Sequence, residues 1–153
     1  MTTLALAAIG LFSGYLDAKT PWNDIDGMFR RKDWTGYMAL FAPHYKRVAL
    51  DGKTMTRERH YEAFGKLIVN AQRVDVVSKP GRLTRHPDGA IFVTFDRRVR
   101  LLTSDGKMIV TEHAGTHTWE SDYGGDYRIV MTVDTRFKWT DYGVLKQYWP
   151  RWP

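Results

Sequence analysis

The chain has 153 residues and no cysteine, which excludes disulfides, thiolate metal sites and cysteine nucleophiles and leaves room for one domain with an ordinary core. Hydrophobic content of 43% and charged content of 26% are typical of a globular protein, and the lack of cysteine fits a reducing compartment, so a cytoplasmic location is expected. The net charge of +6 comes from scattered Lys and Arg, and the densest run, Arg97-Arg98 with Arg100, lies in a predicted strand, so no nucleic-acid partner is expected.

Residues 4 to 16 form an apolar run too short to span a bilayer, and no membrane partner is expected. The run reads as a helix with Leu4, Ala8, Leu11, Phe12 and Tyr15 on one stripe. The alternative is a signal peptide ending at Leu16-Asp17-Ala18, which would make the protein secreted or periplasmic, although no basic residue precedes the run. Pro21 opens a second helix, Trp22 to Arg31, with acidic residues early and basic residues late, as the helix dipole prefers. Asp33 caps a short helix carrying Trp34, Tyr37, Met38 and Phe41, which Pro43 ends.

Tyr45–Leu50 reads as a strand. Thr56 caps a third helix to about Ala71, with Tyr61, Phe64, Leu67 and Ile68 inward. Asp24, Asp26 and Asp33 read as helix-start residues, and His44 and His60 as surface or capping groups. Val74–Arg85 is a strand interrupted at Pro80-Gly81. Three long strands then form a meander: Ala90–Ser104, Met108–Glu120 and Tyr127–Phe137, jointed at Asp105-Gly106 and Gly124-Gly125. Strands this long must curl or bulge. The aromatic segment after Phe137 either packs over a pocket mouth or docks on a second subunit, making a homodimer.

On the strand Ala90–Ser104 the odd positions read Ile91, Val93, Phe95, Arg97, Val99 and Leu101. That face is apolar and carries Arg97 into the core, where a guanidinium needs an anionic partner or a polar cavity. What lies opposite depends on the Asp105-Gly106 turn. A two-residue turn sets Glu112 diagonal to Arg97 and turns the histidines outward. A three-residue turn with a Gly bulge pairs odd with odd and brings His113 and His117 beside Arg97, with Trp119 beyond. The second register is preferred. His113 and His117 are about 13 Å apart along a strand, too far to share a metal.

Helix, short helix, strand, helix, then a long curved sheet resembles the cone-shaped superfamily of nuclear transport factor 2, ketosteroid isomerase and SnoaL-like polyketide cyclases. Lys32-Asp33-Trp34, Ala39-Leu40-Phe41-Ala42-Pro43-His44-Tyr45, Asp51-Gly52-Lys53 and Gly125-Asp126-Tyr127-Arg128-Ile129-Val130 carry that likeness. The segments His113-Ala114-Gly115-Thr116-His117-Thr118-Trp119 and Asp134-Thr135-Arg136-Phe137 are similar to the last strands of scytalone dehydratase. That branch has a Tyr-Asp pair where this chain has Phe29-Arg30, and a histidine where it has Val76-Val77. The resemblance implies one α+β domain over residues 1 to 153, a curved antiparallel sheet forming a cone under three or four N-terminal helices. It also implies a small cofactor-free enzyme of isomerase, cyclase or dehydratase type acting on a hydrophobic carbonyl or polyketide-like molecule. The alternative is a non-catalytic binding or dimerisation module. His113 is the expected general acid or base and Arg97 the oxyanion stabiliser. Trp34, Tyr37, Phe41, Tyr45, Phe64, Phe95, His117, Trp119 and Met131 are the expected substrate-binding residues, and no metal is expected.

Overall fold

The structure, a computed structural model, describes residues 20–79, 81–121 and 127–144. The expected helix or signal at 4 to 16, the Gly124-Gly125 joint and the end of the aromatic segment lie outside the described residues. Helix α1 (Thr20–Arg30) and the short α2 (Trp34–Ala39) precede strand β1 (Phe41–Val48) and the edge strand β2 (Thr54–Thr56). Helix α3 follows in three segments: an α turn Arg57–His60, a π segment Tyr61–Gly65 and an α segment Lys66–Asn70. Strands β3 (Arg73–Lys79), β4 (Leu83–Arg85), β5 (Ile91–Leu102), β6 (Lys107–Ser121) and β7 (Tyr127–Val144) complete a seven-stranded sheet of order β2-β1-β7-β6-β5-β3, with β4 on β5.

The sheet is mixed rather than wholly antiparallel, because β1 runs parallel to β7. The two are far apart in sequence, and the crossover between them carries α3 and the meander. Pro43, expected to end α2, lies within β1 where its register against β7 shifts, a place where a strand tolerates a residue without an N–H. Asp33 caps α2 by accepting from Gly36 N at 2.8 Å, and Thr56 caps α3 by accepting from Arg59 N at 3.4 Å, as the sequence pattern predicts. Asp26 does more than start a helix. It is buried and accepts from Ser78 N and Ser78 Oγ, pinning α1 onto β3.

The β5–β6 turn takes the three-residue form. Thr103 N donates to Lys107 O, Gly106 sits at φ +81°, and odd pairs with odd: Arg97 with His113, Phe95 with Gly115, Val93 with His117. All six odd positions from Ile91 to Leu101 are buried, Arg97 among them. Trp119 is buried opposite Ile91.

Two bulges shape the stretch of β7 along the cavity, beyond a further register shift opposite Lys107 and Ile109. Register against β6 slips by one residue between Ala114 and Gly115 and again between Thr118 and Trp119. Each slip reverses which β7 parity faces the core. Phe137 faces in, then Asp134 and Thr132, then Ile129. Met131, expected to contact substrate, therefore points the other way from Thr132 and stays outside the cavity lining. Gly115 marks the first slip, and a Cβ there would lie 2.4 Å from Val133 O and 3.2 Å from Phe95 Cε1. Replacing Gly115 with alanine should force β7 off its bulge and cost about 1–3 kcal/mol of stability in urea denaturation, where an unchanged midpoint would contradict this account.

Candidate functional site

The concave face of the sheet and the helices α1 to α3 enclose a cavity of about 50 Å³. Its floor is polar because four strands each turn an unusual inward residue toward it: Arg47 from β1, Arg97 from β5, His113 and His117 from β6, and Thr132 and Asp134 from β7. Its walls are aromatic, from Phe29, Trp34, Tyr37 and Phe41 on one side to Phe64, Phe137 and Trp139 on the other.

The strongest contacts centre on Asp134. Arg47 grips the carboxylate with Nε at 2.9 Å and Nη2 at 2.7 Å from Oδ2, and both side chains are almost wholly buried. The guanidinium lies against an edge-to-face pair of rings, Phe64 and Phe137, 4.9 and 5.0 Å from their centroids. His113 Nε2 lies 2.7 Å from Asp134 Oδ1 and 3.4 Å from Arg47 Nη2. One nitrogen cannot serve both, and the shorter, charge-assisted contact decides: Nε2–H donates to the carboxylate. Nδ1 is then the basic nitrogen left for a bound molecule.

Burial alone would raise the Asp134 carboxyl, but hydrogen bonds from His113 and Arg47 outweigh it and hold the group ionised below its ordinary range. Burial lowers His113 despite the pull of Asp134, with Arg47 adding to the effect. The result is a neutral imidazole oriented by a carboxylate, the arrangement of a general base.

Arg97 occupies the far side. Its Nε donates to Ser78 Oγ at 3.0 Å and its Nη1 to the Tyr37 hydroxyl at 3.1 Å, and its plane lies 4.8 Å from the Phe29 centroid. Behind Ser78 stands the carboxylate of Asp26, 2.6 Å away. Because the Tyr37 oxygen accepts from a cation, its own proton is polarised and left to donate elsewhere. His117 Nδ1 pairs with Thr132 Oγ1 at 2.8 Å, and Thr132 bonds in turn to Tyr45, whose phenol burial pushes up and keeps protonated.

Of the residues expected from sequence, His113, Arg97, Trp34, Tyr37, Phe41, Tyr45, Phe64 and His117 line the cavity. Phe95, Trp119 and Met131 do not. Phe95 lies behind the two imidazoles, stacked on His117 at 4.2 Å and edge-on to His113 at 4.7 Å, so it fixes the rings rather than meeting a ligand. Trp119 is buried two residues beyond His117, past the end of the cavity.

Sequence reading missed Arg47, Asp134 and His60. Arg47 follows Tyr45 at strand spacing, so alternation could have found it. Asp134 was hidden by the bulge. The sequence pattern predicts His60 as a surface or capping group and Tyr61 in the core, whereas His60 is 6% exposed and Tyr61 44% exposed. His60, Phe64 and Ile68 are four apart, a helical stripe that was legible. Among the described residues no group of three or more His, Asp or Glu could hold a metal ion, and no helix is long and apolar enough to cross a membrane.

No family model and no curated protein matches the sequence. Solved structures do match in fold. A scytalone dehydratase-like protein from Novosphingobium aromaticivorans DSM 12444 superposes with a TM-score of 0.66 at 13% identity, covering 95% of this chain and 94% of that one. Hexachlorocyclohexane dehydrochlorinase LinA-type3 from Novosphingobium barchaimii LL02 gives 0.63 at 11%, covering 98% and 100%. A nuclear transport factor 2-like superfamily protein from Salmonella enterica serovar Typhimurium LT2 gives 0.57 at 17%, covering 97% and 96%. The chain has the α+β cone fold of these nuclear transport factor 2-like and SnoaL-like proteins.

The buried imidazoles have a consequence for stability. Burial, with Arg47 and His113 nearby, lowers His60 from 6.5 to about 3, and burial with Arg97 lowers His117 well below its ordinary value. In the unfolded chain these rings take up protons near pH 6.5, and in the folded chain only far lower. Stability is therefore full above about pH 6.5 and falls as the solution is acidified. His60→Phe should remove on the order of 2 kcal/mol from the wild-type stability loss between pH 7 and pH 4.5 in urea titrations, and equal losses in the two proteins would refute it.

Proposed function

We propose that the protein is a small enzyme of isomerase, cyclase or dehydratase type that moves a proton on a hydrophobic carbonyl or polyketide-like molecule. The observation that carries this reading is the His113 imidazole 2.7 Å from the Asp134 carboxylate, which Arg47 locks in place beside an aromatic-walled cavity. His113 Nδ1 removes a proton from the carbon next to a carbonyl, and Asp134 stabilises the imidazolium that results. Tyr37 donates its hydroxyl proton to the developing enolate oxygen, with Arg97 behind it supplying positive charge. The imidazolium then returns its proton to another carbon or to a leaving oxygen, which separates isomerase from dehydratase chemistry. The scytalone dehydratase-like and dehydrochlorinase neighbours support the reading at the level of fold.

One observation favours a second reading. A cavity of about 50 Å³ is smaller than ligand pockets usually are. A cyclic substrate enters only if the partly exposed rim of Phe64, Leu67, Phe137 and Trp139 gives way. The second reading is a binding module of the same fold with no chemistry. Deuterium exchange at the α-carbon of 2-tetralone, followed by proton NMR in heavy water, separates the two. The wild type should exchange the α-protons faster than buffer does, and His113→Ala should lose roughly 10²- to 10⁴-fold of that rate. Equal exchange by the two proteins would remove His113 from the mechanism, and exchange at the buffer rate would leave the binding module.

The protein is further proposed to be a homodimer. Val133, Trp139, Tyr142 and Val144 leave apolar surface exposed along β7. Light scattering after size exclusion should give twice the chain mass, and a monomer at micromolar concentration would exclude the dimer.

A further inference from the structure

The chemistry assigned to His113 leaves one wall of the cavity unused. His60 ends the first turn of α3, where the π segment begins, and its side chain is buried in the cavity lining. Among the described residues neither its Nδ1 nor its Nε2 has a hydrogen-bond partner. The indole Nε1 of Trp34, on the same wall, also has none. The two rings lie 5.9 Å apart, centroid to centroid. Buried polar nitrogens are nearly always hydrogen-bonded in folded proteins, so three beside one cavity are not what close packing alone would keep.

Among the described residues nothing around the imidazole satisfies it. Phe41, Tyr45 and Phe64 pack against it at 5.7, 5.7 and 5.1 Å, and in those ring contacts it meets carbon faces. The missing partner must come from whatever occupies the cavity. Burial and the positive charge of Arg47 keep His60 neutral, so it offers one N–H and one lone pair and no net charge. Trp34 offers a second N–H. Two neutral donors on neighbouring aromatic rings beside one cavity suit an oxygen with two lone pairs.

We infer that His60 and Trp34 form a second subsite, whose imidazole and indole N–H groups hydrogen-bond an uncharged carbonyl or ether oxygen of the bound molecule. The reacting oxygen belongs with Tyr37 and Arg97, so the ligand carries two oxygen functions on one apolar ring or chain. This inference rests on the cavity being a ligand site and not on proton transfer at His113.

Cyclohexanone and 1,4-cyclohexanedione test it, since they share a ring and differ by the second oxygen. Binding is read from ¹⁵N-resolved indole N–H signals during titration, in the wild type, His60→Phe and His60→Gln. The expected result is that His60→Phe weakens the dione roughly tenfold while cyclohexanone stays within about threefold, and that His60→Gln, which keeps a donor, restores most of the loss. The Trp34 indole signal should move on addition of the dione. Dione affinity unchanged in His60→Phe, equal weakening of both ligands, or no saturable dione binding by the wild type would each overturn the inference. His113→Ala should abolish exchange yet leave the dione response to His60 in place, so failure of the mechanism and failure of the subsite are told apart.

Discussion

The cavity is organised around the buried ion pair between Arg47 and Asp134. Two charges withdrawn from water are tolerable only when their geometry is close to ideal and their remaining valences are met. Here the guanidinium contacts both carboxylate oxygens, packs against the Phe64 and Phe137 rings, and shares Oδ1 with His113. Removing either charge would strand the other, at a cost of about 3–5 kcal/mol. The pair also ties β1 to β7, the one parallel seam among the described residues, so the same contact orients the site and holds that seam together.

That pair sets the electrostatics of everything nearby. Three imidazoles share one cavity, and burial with the surrounding guanidinium charge keeps all three low. They are not equivalent. His113 is tied to a carboxylate, His117 to the Thr132 hydroxyl, and His60 to no polar group among the described residues. A neutral ring with an anionic partner suits proton removal, a ring bonded to a hydroxyl suits positioning, and an unbonded ring suits recognition. Division of labour among chemically identical side chains thus follows from the second atom each one touches.

Much of this architecture was legible in the order of residues. The odd-position run from Ile91 to Leu101 placed Arg97 indoors, the Asp105-Gly106 joint allowed the register that put His113 and His117 beside it, and Asp33 and Thr56 capped their helices as their spacing implied. Patterns of period two and 3.6 carry such information because they depend only on neighbours along one strand or helix. The same logic failed where two elements had to be compared. Met131 and Asp134 exchanged faces because the register of β7 against β6 slips along the cavity, and a slip is a property of the pair.

Sequence by itself determined the order of most helices and strands, which face of β5 is apolar, and that a cationic side chain would be carried inside, since backbone preference and side-chain alternation are local. Only the tertiary structure decided what meets that cation and what activates His113. The carboxylate that orients His113 lies 21 residues away on another strand, the guanidinium that holds the carboxylate lies 87 residues from it, and a one-residue bulge brings the three together. Coulomb attraction acts across space and is indifferent to chain position, so no local pattern could have announced it.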